Sequence, residues 1–167
     1  MPEHNRNEAL EFARRTRHNL EYVEAVAAQQ TQGTRHVHVV TQLTLSLLGL
    51  VVFPREKLFL ECAEKMTFER MASGGWPQWN ISKDDCPGRP TTTLKALLDR
   101  LRNAICHARV VFDSDDRNIS DVVITVEDGL PRKGHSQFRA DWVATISAAD
   151  LRAFCFRLLD FIEDSIG

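Results

Sequence analysis

Arg102, Asn103 and His107 have the side-chain types and the spacing to move a proton beside a phosphate. Free imidazole titrates near neutrality, so a histidine can take up and return protons under ordinary conditions. A guanidinium offers a planar fork of donors that meets two phosphate oxygens at once. The amide of an asparagine can orient either the ring or a phosphate oxygen. Together these groups suit scission of RNA by its own 2′-hydroxyl, which needs a proton acceptor, a proton donor and a cation facing the charged phosphorane. That scheme requires no metal or other cofactor, and the sequence offers no carboxylate cluster to hold one. One histidine cannot easily be base and acid at once. A symmetric dimer that joins two copies of Arg102 and His107 in one cleft supplies both, so an isologous interface on their helix is expected.

These residues belong to the most clearly amphipathic segment of the chain, a helix predicted over residues 92–108. Leu94, Leu97, Leu98, Leu101 and Ile105 form its apolar stripe, and Thr92 or Thr93 can cap it. At about 100° per residue, Arg102 lies about 95° to one side of the stripe, Asn103 roughly opposite, and His107 about 125° to the other side. Lys95 and Arg100 share this outer surface with a single acid, Asp99, which makes the face locally basic. With Arg109 just beyond the helix, they are the expected RNA-binding residues. The plain alternative is a solvated helix face that ends in a dipole-compensating histidine.

The elements that must position this helix follow from periodicity and punctuation. Residues 8–29 carry Ala9, Phe12, Ala13, Thr16, Leu20, Val23 and Ala27 at helical spacing. Residues 36–53 alternate like a strand in part, yet no turn interrupts them before Pro54 and they are long for a strand, so they are read as a second helix. Pro54 suits the first turn of a third, 54–71. Residues 72–91, with three glycines and three prolines, are expected to be a long loop. Its Trp76 and Trp79 either anchor the loop on the core or stack on unpaired bases. Between 109 and 146, residues 110–112, 122–126 and 138–146 read as short strands of a small antiparallel sheet. Ser147 followed by Asp150 resembles a capping box that opens a last helix, 147–166. The predicted class is mainly α: a single domain of about five helices with the sheet inserted before the last.

At 167 residues with 43% hydrophobic and 26% charged side chains, the chain has the composition of one ordinary folded domain, which excludes a disordered or collagen-like class. A net charge of −2 gives no long-range pull on a polyanion, so RNA must be met by a local basic face. Cys62, Cys86, Cys106 and Cys155 show no close pairing, and reduced thiols are expected, with Cys106 read as a packing residue. His36 and His38 lack acidic or cysteine partners nearby in sequence and are read as helix-start residues rather than ligands. The polar start, without the apolar run of a signal peptide, predicts a cytoplasmic protein, and residues 37–53 are too interrupted by polar groups for a membrane span.

The run Leu101-Arg102-Asn103-Ala104-Ile105-Cys106-His107-Ala108 resembles the signature helix of the HEPN superfamily, in which an arginine is followed by a polar residue and then, after a short gap, a histidine. Phe12-Ala13-Arg14-Arg15-Thr16-Arg17-His18-Asn19-Leu20, and the stretch from Val40-Thr41-Gln42-Leu43 to Val52-Phe53-Pro54, resemble a plasmid-borne HEPN subfamily. The resemblance implies a helical bundle, a homodimer and metal-independent endoribonuclease activity, often within toxin–antitoxin or phage and plasmid defence systems. Carried over by position, Arg102 and His107 are the catalytic pair and Asn103 their polar companion. The alternative is a catalytically silent HEPN module that binds RNA, a nucleotide or a protein partner such as an antitoxin or a neighbouring defence protein. The resemblance assigns no role to Arg14, Arg17, Asn19 or Gln42. For Arg14, Arg15 and Arg17, a salt-bridged exposed face with Glu11, Glu21 and Glu24 stands beside an RNA-backbone track.

Overall fold

A computed structural model describes residues 3–29, 38–52, 57–86, 88–114, 122–129 and 138–167. Its elements run α1 (Glu3–Ala28), α2 (Val39–Val52), α3 (Lys57–Lys65), α4 (Phe68–Ser73), β1 (Asn80–Asp84), α5 (Leu94–Cys106), β2 (Val110–Phe112), β3 (Val123–Asp128), β4 (Trp142–Ser147) and α6 (Ala148–Ile166). The four strands make one antiparallel sheet in the order β1-β4-β3-β2. The fold is mainly α, with this small sheet preceding the last helix. No helix of the described residues is long and apolar enough to cross a membrane.

The centre of the bundle is α6. Ser147 caps it by accepting from the Asp150 amide at 3.0 Å while donating to the Asp150 carboxylate at 2.8 Å. Leu151, Phe154, Cys155, Leu158, Leu159 and Ile162 are fully buried along it. Each such aliphatic or aromatic side chain contributes roughly 1.5–3 kcal/mol by leaving water. Burial also pushes the Cys155 thiol up to about 12, so it stays neutral and inert. α1 lies against α6, with Arg152 paired to Glu24 and Arg17 to Asp160 at 2.7 Å. Arg17 is thus a clamp between these two helices, while Arg14 and Arg15 pair with Glu11 on the surface. No side-chain contact among the described residues gives Asn19 or Gln42 a role.

The apolar run of α2 is indeed a helix, with Leu43, Leu47 and Leu50 buried. It crosses α1 closely enough that a Cβ on Gly49 would come within 2.7 Å of the Phe12 ring. His36 lies outside the described residues, and His38 is an exposed residue just before α2.

Three features depart from the sequence expectations. The helix expected over 54–71 is two helices, because Thr67 is extended, caps α4 by accepting from the Arg70 amide, and bridges to Thr93. The loop expected over 72–91 contains β1, an edge strand with the sequence NISKD whose one apolar residue leaves little periodic signal. Residues 138–141 precede β4 rather than belong to it, since pairing with β3 begins at Trp142. Trp76 and Trp79 anchor the start of that former loop, both packed edge-on against Phe154.

Candidate functional site

Helix α5 starts at Thr93, whose hydroxyl accepts from the Ala96 amide, and packs against α2, α3 and β3. Three neighbours bury a wide arc: Leu94, Leu97, Leu98, Arg100, Leu101 and Ala104 are all inside. The buried arc therefore extends past the apolar stripe towards Arg100 and Ala104, the side covered by the sheet.

This corrects the expectation that Arg100 lies on an outer, RNA-facing surface. Arg100 is 8% exposed and points at the end of the sheet, where β1, β3 and the residue before β4 deliver carboxylates. Its guanidinium lies 3.0 Å from Asp128, 3.5 Å from Asp141 and 3.9 Å from Asp84. Asp84 and Asp128 both sit opposite Trp142 in the register, so they emerge side by side from the sheet. A further bond goes to the Arg89 carbonyl at 3.4 Å, which ties the backbone at Arg89 to the cluster. Burial opposes the charge, but hydrogen bonds to Cys86 and Asp128 more than offset it and hold the guanidinium pKa above its ordinary value. Arg100 thus occupies the centre of the carboxylate cluster, and no group of His, Cys, Asp or Glu among the described residues is arranged to hold a metal ion.

The remaining face is charge-balanced rather than basic, a second correction. Asp99 lies between Lys95, at 3.4 Å, and Arg102, at 3.5 Å. Lys95 also meets Glu64 at 3.5 Å. These contacts line a cavity of about 490 Å³ between α5, the end of α3, Cys86 and residues 88–92, whose walls include Arg89, Lys95, Asp99, Arg102 and Asn103. Arg102 keeps 28% of its side chain exposed and donates to the Asn103 amide oxygen at 3.3 Å.

His107 stands apart from that lining, at the other edge of the helix. It is the C-cap, not a helical residue. The turn beyond it is a Schellman arrangement: the Arg109 amide donates to the Ala104 carbonyl at 2.9 Å and the Ala108 amide to the Ile105 carbonyl at 3.0 Å. Ala108 takes the left-handed position, φ 53°, that glycine usually fills. This fixes the backbone of His107, and its exposed imidazole has no hydrogen-bond partner among the described residues. Asn103, one turn earlier, lies between it and Arg102 on the helix surface.

Arg109, expected to meet RNA, is largely engaged within the protein. It stacks on Phe138 with 3.7 Å to the ring centroid and donates to the Gly129 carbonyl at 3.1 Å. Cys106 is exposed, so packing does not account for it. Asp84, Asp128 and Asp141, the partners that orient α5, carried no sequence signal, because they lie at the ends of β1 and β3 and just before β4, on both sides of α5 in the chain. Arg89, in an irregular segment, had none either.

A family model described as HEPN pEK499 p136 matches residues 1–166. The chain belongs to this HEPN family. The Arg102-Asn103 pair lies on α5 and His107 is its C-cap, so all three are placed by a helix that packs against α2, α3 and β3. No curated protein and no solved structure matches the chain.

Proposed function

We propose that this HEPN protein is a metal-independent endoribonuclease that cuts RNA through attack of its 2′-hydroxyl, leaving a 2′,3′-cyclic phosphate. The observation that carries this reading is the exposed imidazole of His107, on a backbone fixed by the helix cap and free of any partner among the described residues, with Asn103 one turn earlier in the helix and bonded to Arg102. Arg102 binds a phosphate oxygen and stabilises the phosphorane, Asn103 orients the guanidinium, and His107 carries the proton. A dimer built on the exposed edge of α5 brings a second His107 to the same bond, so one ring takes the 2′-hydroxyl proton while its twin protonates the departing 5′-oxygen. No step in this scheme calls for a metal. A toxin or defence role fits the family, with an antitoxin or neighbouring protein as partner.

The test is incubation with RNA in the presence of chelator. Wild type is expected to give cyclic-phosphate ends, and His107→Ala to lose activity by about 10²–10⁴-fold. Equal cleavage by His107→Ala, or none by wild type, ends this proposal. The catalytically silent alternative draws on one observation, that Arg102 is already held by Asp99, and it predicts RNA binding without turnover.

A further inference from the structure

The cavity beside α5 has a charge arrangement that pairing inside the protein leaves incomplete. Its walls carry four cations, Arg89, Lys95, Arg100 and Arg102, and three carboxylates, Glu64, Asp99 and Asp128. Asp128 is committed to Arg100 in the buried cluster, and Glu64 lies against Lys95. Asp99 is shared by two of the cavity's own cations, at 3.4 Å from Lys95 and 3.5 Å from Arg102. The side chain of Arg89, exposed at the rim, meets no carboxylate among the described residues. An oxyanion therefore already sits between two cations, in the position where a phosphate would bind, with a third cation at the entrance.

From this we infer that the cavity is a subsite for the sugar–phosphate backbone of single-stranded RNA, in which a substrate phosphodiester takes the place of Asp99 between Lys95 and Arg102 and is also met by Arg89. The inference deepens the ribonuclease reading and rests on it for the choice of RNA. At about 490 Å³ the cavity is of a size to admit one link of a flexible strand, whereas the rigid width of a duplex does not enter it. Its lining contains no aromatic ring, so bases are not gripped by stacking and binding is tolerant of sequence. Thr92 and Asn103 add neutral hydrogen-bonding groups suited to phosphate oxygens and ribose hydroxyls. Asp99 acts as a placeholder. It keeps Lys95 and Arg102 apart and oriented when the site is empty, and it competes with the incoming phosphate.

The test uses a short fluorescent single strand of 2′-O-methyl RNA, which lacks the attacking hydroxyl, so that binding is measured without cleavage. Arg89→Ala, an exposed substitution outside the fold's core, is expected to weaken binding about tenfold near 0.1 M salt and to lower the salt slope by about one. Asp99→Asn is expected to tighten binding by about threefold, since it removes the competing charge. A purely structural Asp99 would give no tightening. Unchanged affinity in both variants overturns the subsite, as does a duplex of the same sequence bound equally well with the same dependence on Arg89, or no binding by wild type. A parallel digest of unmodified RNA separates the two readings. Arg89-dependent binding without cleavage removes the catalytic proposal and keeps the subsite, whereas cleavage with Arg89-independent binding removes the subsite and keeps the catalysis.

Discussion

Arg100 and Arg102 are two residues apart on one helix, and the structure uses them in opposite ways. Arg100 faces the sheet and is surrounded by Asp84, Asp128 and Asp141 at 8% exposure. Arg102 faces the cavity and shares a single acid, Asp99, with Lys95. Both are cations on the same element, so residue type alone does not separate a structural charge from one available to a ligand. What separates them is how many carboxylates each has gathered and how much water each has lost. The first side chain fixes the helix, and the second keeps a partly solvated guanidinium at the cavity wall.

Removing Arg100 should have the largest effect. Arg100→Met leaves Asp128, 4% exposed, without its main partner, and is expected to cost about 3–5 kcal/mol in a urea unfolding titration. If it costs no more than Arg102→Ala, the contrast between the two arginines collapses. Gly129→Ala attacks the same cluster through the backbone. A Cβ there would lie 2.6 Å from the Arg139 carbonyl oxygen and 3.1 Å from the Asp141 amide, so the end of β3 must move away from Asp141. The expected loss is about 1–3 kcal/mol, read as a lowered thermal midpoint, and an unchanged midpoint would mean that the cluster tolerates displacement.

On the other edge, Ala108→Gly relieves a left-handed alanine and should raise stability by about 1 kcal/mol without weakening cleavage. A drop in stability would show that the cap beyond His107 is not held as described. Arg102→Ala should change stability least, by under about 1 kcal/mol, because its ion pair is partly solvated. Its expected signature is lost cleavage in a protein that still unfolds at the wild-type denaturant concentration.

The helices were readable because burial follows the 3.6-residue period. Leu94, Leu97, Leu98 and Leu101 announced α5, and Ser147 with Asp150 announced α6 before any coordinates. β1 was hidden by its polarity, since an edge strand with one partner needs few apolar residues. The break at Thr67 was hidden because it depends on pairing with Thr93, well away in sequence. At the candidate site, the position of the motif was legible but its electrostatics were not. A helical wheel places Arg100 beside polar neighbours, and only the sheet packed along α5 reveals that this side is interior. The balance of the cavity was equally invisible, because Glu64 and Arg89 reach it from other segments.

The clamp on Arg100 also has a meaning for the order of assembly. Asp128 and Asp141 both follow α5 in the chain, so during synthesis the ribosome releases the motif well before it releases the groups that fix its orientation. A nascent chain that has released α5 but not yet Asp141 has α2 and α3 for the helix to pack on, but lacks the clamp on Arg100. The last step in setting the direction of α5 therefore waits for the segment that carries Asp141.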